Sequence, residues 1–190
     1  MVTTSTWERR DLFRNDRWAN LLIDTLEHYR GQAYLLHEFV VMPDHLHVIL
    51  TPLTSLEKAV QFVKSGFSYR AKKELESNLE VWQKGFQDHR IRDARDYRLH
   101  VIYVTQNPLR KHLCVAVEKY EYSSASGRFE LDPVPQGLKP LAVGAAVGAA
   151  KAAPFQSTFA KDKRPTTNSQ GLTADDQRPK TNDHRLRTND

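Results

Sequence analysis

Val40-Val41-Met42-Pro43-Asp44-His45-Leu46-His47-Val48-Ile49-Leu50 is the stretch whose reading decides this chain. Two apolar runs flank Pro43-Asp44, a pair suited to a tight turn. The stretch therefore reads as two strands, from about Ala33 to Val41 and from His45 to Pro52, joined as a hairpin. Side chains alternate across a strand, so His45 and His47 share one face while Leu46 enters the opposite layer. Two imidazoles side by side on a sheet face can clamp a divalent metal ion. On its own the spacing is loose, because surface and hydrogen-bonded histidines also fall into it.

Working outward, residues 1–6 alternate weakly and are β-prone, which predicts a short first strand beginning almost at Met1. Asp16 is placed to cap a helix running to about Tyr29, with Trp18, Leu21, Leu22, Leu26 and Tyr29 on one face and Gly31 as its stop. Ser55 caps a second helix to about Leu75, whose apolar positions Leu56, Val60, Val63, Phe67, Ala71 and Leu75 recur every three or four residues. Val81 to Ile91 reads as a fourth strand. Asp93 caps a third helix that ends near Asn107-Pro108, since proline pushes the residue before it out of the helical region. The order strand, helix, strand, strand, helix, strand, helix predicts an α+β fold: a ferredoxin-like split-βαβ antiparallel sheet with an added C-terminal helix. That last helix carries Tyr103, with Gln106 and Asn107 three and four positions on and so on the same face.

The 190 residues fit one domain and a tail, and the net charge of +5 permits an anionic partner. A single cysteine, Cys114, excludes an internal disulfide framework and suits a reducing cytoplasm. No run approaches the roughly 18 apolar residues of a membrane span, and the start lacks the basic-then-apolar pattern of a secretion signal. Beyond about Gly127 the character changes. Leu141 to Ala150 is low-complexity, and degenerate units follow from Asp162, Asp176 and Asp183. Such a polar segment has too little apolar surface to offset its ordering entropy. Residues 1–127 are therefore expected to form the working domain and 128–190 a disordered tail.

Four blocks now stand in order: Met42-Pro43-Asp44-His45-Leu46-His47, Trp82 to Arg92, Tyr103-Val104-Thr105-Gln106-Asn107-Pro108, and Tyr120-Glu121-Tyr122-Ser123-Ser124-Ala125. Together they resemble the REP-associated tyrosine transposases, a branch of the single-tyrosine HUH transposases, over residues 2–127. The resemblance implies a metal-dependent single-strand DNA endonuclease and strand transferase acting on hairpin-forming repeat DNA through a 5′-phosphotyrosine. It also implies Tyr103 as the nucleophile and His45, His47 and Asn107 as ligands of Mg²⁺ or Mn²⁺, with Gln106 as a substitute ligand if the helix ends differently. Mixed nitrogen and oxygen donors are compatible with those ions, and such a site leaves open positions for phosphate oxygens.

Arg9, Arg10 and Arg14 form one basic group and Arg90, Arg92 and Arg95 another, and either suits contact with DNA phosphates. Asp44 and the Asp88-His89 pair are candidates for supporting the histidines or donating a proton, or are simply a turn former and a surface pair. Trp82 and Tyr97 suit base stacking or the core. Ser123 and Ser124 lack the partners of a serine nucleophile. The expectation is a monomer in preference to a homodimer. Two rivals share the fold: a non-catalytic nucleic-acid-binding regulator or inactive relic, and a metal-binding protein with no DNA partner.

Overall fold

The computed structural model describes residues 1–133, and within them the expected order of elements is realised. β1 (Val2–Ser5), α1 (Asp16–Tyr29), β2 (Tyr34–Met42), β3 (His45–Pro52), α2 (Leu56–Glu74), β4 (Gln87–Asp88) and α3 (Ala94–Arg110) follow one another. The four strands form one antiparallel sheet in the order β2-β3-β1-β4, the ferredoxin-like arrangement followed by the added helix. No helix among the described residues is long and apolar enough to cross a membrane.

The caps follow the sequence closely, with one shift. Ser55 accepts a hydrogen bond from the Lys58 amide, and Asp93 accepts from the amides of Arg95 and Asp96. At α1 the cap is Asn15, one residue before the expected Asp16. Asn15 has extended backbone angles, and its side chain accepts from the Arg17 amide. Asp16 is instead the first helical residue, where its carboxylate accepts from the Tyr122 hydroxyl at 2.7 Å. Gly31 adopts φ +74° just past the end of α1, the left-handed conformation that glycine takes without steric cost.

Two faces of the sheet are covered differently. α1 and α2 lie over the face that receives Val2, Phe39, Val41, Leu46 and Val48, and together they enclose a continuous apolar core. Phe67 sits at its centre, with ring centroids 5.7 Å from Phe13, 5.9 Å from Trp18 and 5.6 Å from Trp82. The two helices approach closely at Gly66, where a Cβ would come 2.5 Å from Cε2 of Tyr29. α3 covers the other face over a smaller apolar group of Val40, Met42, Ile49, Tyr97 and Val104.

Two expectations are corrected. The predicted strand from Val81 to Ile91 is reduced to Gln87–Asp88, with a separate bridge from Trp82 to Thr6. Gly85 at φ +71° interrupts the run, and the carbonyls of Gln83 and Gly85 turn to the Lys64 ammonium rather than to a neighbouring strand. Trp82 sinks into the α1–α2 core with its indole N–H on the Lys64 carbonyl, 3.1 Å. The second correction concerns the end of α3, which runs through Pro108 to Arg110. A proline in the last turn removes one ladder bond without ending the helix there, and the Lys111 amide still reaches the Asn107 carbonyl at 3.1 Å.

The outer edge of β2 is sheltered by the chain that follows α3. The Val41 amide donates to the Tyr122 carbonyl, the Phe39 amide to Ser124 Oγ and the Leu36 amide to the Asp132 carboxylate. Covering an edge in this way removes a template for pairing with other chains. Arg30 also forks onto Asp132 at 2.9 and 3.1 Å, so packed structure continues past Gly127 to Asp132. The tail expected to be disordered lies, from residue 134 onward, outside the described residues.

A histidine pair beside the tyrosine helix

Strand alternation does what the sequence requires of it. Thr3 pairs with His47 and Ser5 with His45 across β1 and β3. Both imidazoles project from the α3 side of the sheet, beside Ile49, and both are buried. Their Nε2 atoms meet at 3.1 Å. Two ligand arms of about 2.1 Å meeting near a right angle span that gap, so the pair fits one ion.

The opposite ring nitrogens are occupied. His45 Nδ1 lies 2.5 Å from the Asp44 carboxylate, which assigns the proton to Nδ1 and leaves a lone pair at Nε2. His47 Nδ1 lies 2.7 Å from the Thr3 hydroxyl, a group able to accept or donate. Asp44 is itself held by Arg9, with Nε 2.8 Å from Oδ2, while Arg9 also donates to Ser5 Oγ at 2.7 Å. Glu8 and Arg9 reach this position through left-handed backbone, φ +54° and +56°, a conformation costing on the order of 1 kcal/mol each for residues with a Cβ.

Electrostatics keep both rings neutral. Burial pushes His47 down to about 3, because a second cation there would be desolvated and would face both the neighbouring His45 ring, were it protonated, and the Arg9 guanidinium. Burial also lowers His45, against the opposing pull of Asp44. Neutral imidazoles are the form that binds metal, and the proton that His47 Nε2 donates to His45 Nε2 moves to Nδ1, toward the Thr3 hydroxyl, when an ion takes its place.

The tyrosine helix completes the neighbourhood. The Tyr103 ring stands edge-on to His47, with centroids 5.2 Å apart, and the Arg110 guanidinium carbon lies over the Tyr103 ring, 5.9 Å from its centroid. Asn107 is one turn further along and is buried. Because α3 continues through Pro108, Gln106 points outward, exposed and within 3.4 Å of Arg110. Of the two amides, Asn107 is therefore the one on the sheet-facing side.

The six arginines separate into two kinds. Arg9 supports Asp44, Arg10 donates to the carbonyls of Trp7 and Glu80, and Arg14 pairs with Asp11. Arg90, Arg92 and Arg95 extend from the surface around the start of α3. Trp82 and Tyr97 are core residues. Ser124 is committed to Glu38 and the Phe39 backbone, and Ser123 caps the turn that follows it.

Sequence reasoning missed a second polar group. His89, Asp96 and His100 bring their ligand atoms within 4.8 Å of one another. Burial raises the Asp96 carboxyl, but hydrogen bonds from His89 and the Arg92 amide outweigh it, and the group ends below its ordinary value. The available signal was the four-residue interval from Asp96 to His100, which puts both on one helix face.

Comparison with known proteins is consistent with this geometry. No family model matches the chain. It is 26% identical over 142 residues to a REP-associated tyrosine transposase of Escherichia coli K12, covering 73% of this chain and 80% of that protein. It is 28% identical over 112 residues to a protein of Haemophilus influenzae Rd named as a possible REP-associated tyrosine transposase, covering 53% of this chain and 62% of the relative. The fold is similar to a solved structure of a REP-associated tyrosine transposase bound to a REP hairpin, with TM-score 0.55 and 21% identity over 77% of this chain and 90% of that one.

Proposed function

From its relatedness in sequence and fold to the REP-associated tyrosine transposases, we propose that this chain is a metal-dependent DNA transposase acting on hairpin-bearing single-stranded DNA. In this reading Tyr103 is the nucleophile, and His45, His47 and Asn107 hold Mg²⁺ or Mn²⁺. The observation that carries it is the meeting of two neutral imidazoles at 3.1 Å with the Tyr103 ring against one of them.

The phenolic oxygen of Tyr103 attacks the scissile phosphorus. A P–O bond forms to tyrosine, the bond to the 3′ oxygen breaks, and the phenolic proton is lost as the 3′ oxygen gains one. The products are a 5′-phosphotyrosine and a 3′-hydroxyl. The ester conserves the energy of the original bond, so a second 3′-hydroxyl can reverse the step without a nucleotide cofactor. When bound, the divalent ion neutralises charge on the phosphate and assists ionisation of the phenol.

The other residues serve position. Asp44 and Thr3 hold the imidazoles with Nε2 inward, as supporting hydrogen bonds do in metal sites. Arg90, Arg92 and Arg95 contact phosphates of the folded strand, an interaction that weakens with salt. Tyrosine and histidines meet within one chain, so a monomer contains the whole site, and the single cysteine suits work in the cytoplasm.

Incubation of the protein with a labelled hairpin oligonucleotide and Mn²⁺ tests the proposal. Wild type is expected to give a covalent adduct that survives a denaturing gel, and Tyr103→Phe none. Equal adduct from both, or none from wild type across a set of hairpins, overturns the assignment.

A further inference from the structure

His89 follows β4 directly, while Asp96 and His100 lie in the first two turns of α3. Asp96 joins the group: its Oδ2 is 3.0 Å from His89 Nε2, and its Oδ1 is 3.0 Å from His100 Nδ1. The two rings stack at 4.3 Å between centroids with 22° between planes. None of these three side chains enters the cleavage reaction described above.

Two imidazole nitrogens and a carboxylate oxygen form a donor set suited to borderline divalent ions such as Zn²⁺, with water completing the shell. Metal–ligand arms of about 2.0–2.2 Å at tetrahedral angles place donors roughly 3.3–3.6 Å apart. The carboxylate lies 3.0 Å from each histidine through a different oxygen, and one ligand atom from each of the three residues lies within 4.8 Å of the others, so rotation of the side chains closes the set on one ion. His89, 47% exposed at its side chain, has room to turn its ring toward the ion. His100 Nδ1 also lies 2.8 Å from the Asp96 carbonyl, a contact that the ion replaces.

The surroundings hold the donors in place. The Arg92 amide donates to Asp96 Oδ2 at 3.1 Å, so the carboxylate is oriented from outside the group. The backbone of His89 is pinned by reciprocal bonds with Met1, 2.8 and 2.7 Å. Two ligands come from one rigid helix at an i, i+4 interval, and the third comes from the sheet edge.

We propose that His89, Asp96 and His100 bind a structural divalent ion of the Zn²⁺ class, which staples the end of β4 to α3 three residues ahead of Tyr103. The ion is separate from any held by His45 and His47, and the staple does not depend on whether the protein cuts DNA.

Co²⁺ is the probe, because its visible absorption reports nitrogen and oxygen ligands directly. The full chain carrying His45→Ala and His47→Ala, with the first pair silenced, is expected to bind one Co²⁺ and to gain thermal stability with it. Adding His89→Gln, a change at a half-exposed residue, is expected to weaken binding by at least about tenfold and to remove the gain in Tm. Should the double variant fail to fold, the wild-type background gives the same reading: one Co²⁺ fewer per chain in His89→Gln. No Co²⁺ binding by the double variant below about 100 µM overturns the proposal. Binding undiminished by His89→Gln also overturns it, since the ion then sits elsewhere.

Discussion

On one face of the sheet, α1 and α2 bury Phe13, Leu22, Leu26, Phe39, Phe67 and Trp82 with few polar groups among them. On the other, α3 covers only a small apolar group, and His37, His45, His47, His100 and Asn107 are buried alongside it. The same strands supply both layers: Leu46 and Val48 face one way, His45 and His47 the other. The two faces divide the work. The dry face supplies most of the apolar burial that favours folding, while the other can afford neutral, hydrogen-bonded imidazoles because stability is secured elsewhere.

The sharpest test of that division is to damage the dry face. Phe67→Ala is expected to cost about 3–5 kcal/mol of stability, the range for a large aromatic removed from a packed core. Denaturant unfolding measures it, and a loss below 1 kcal/mol would mean the core is loosely packed.

Acid should act on the opposite face. His47 lies at about 3 in the folded protein, below its ordinary value of 6.5. Between those values the unfolded chain binds more protons than the folded one, so stability falls as pH drops from about 6.5 toward about 3. Above that window this histidine contributes no pH dependence. His37 and His45, also lowered by burial, act in the same direction. The loss should be on the order of a few kcal/mol, read from urea midpoints with a chelator present. His47→Gln should flatten the slope, and an unchanged slope would place its origin outside the sheet.

Asp44→Asn keeps the turn but weakens the grip on His45. It is expected to lower Mn²⁺ affinity by about 10–100-fold with little change in unfolding midpoint, and calorimetric titration separates the two. The smallest effect belongs to Thr4, whose buried hydroxyl finds no partner among the described residues. Thr4→Val removes that unsatisfied group from the dry face and should raise stability by about 1 kcal/mol. A destabilised Thr4→Val would show that the hydroxyl has a partner after all, such as a water molecule.

Much of this was legible in the chain itself, because the signals were local. A two-residue period around Pro43-Asp44 put His45 and His47 on one face, and the side chains of Ser55 and Asp93 announced the helices that follow them. The misreadings arose where local signals met tertiary competition. Trp82 belonged to a core built by α1 and α2, and Lys64 took the carbonyls a longer β4 would have needed. Pro108 looked like a stop, yet a last turn tolerates a missing amide hydrogen.

By itself, then, the sequence determined the order of elements, the facing of the two histidines and the helix that carries Tyr103, since each follows from backbone period and capping within a few residues. Only the tertiary structure decided that Tyr103 rests against His47, that Arg9 pairs with Asp44, and that His89 joins Asp96 and His100. Those contacts bring together residues 7 to 56 positions apart, and no local periodicity encodes which distant side chains a folded sheet makes neighbours.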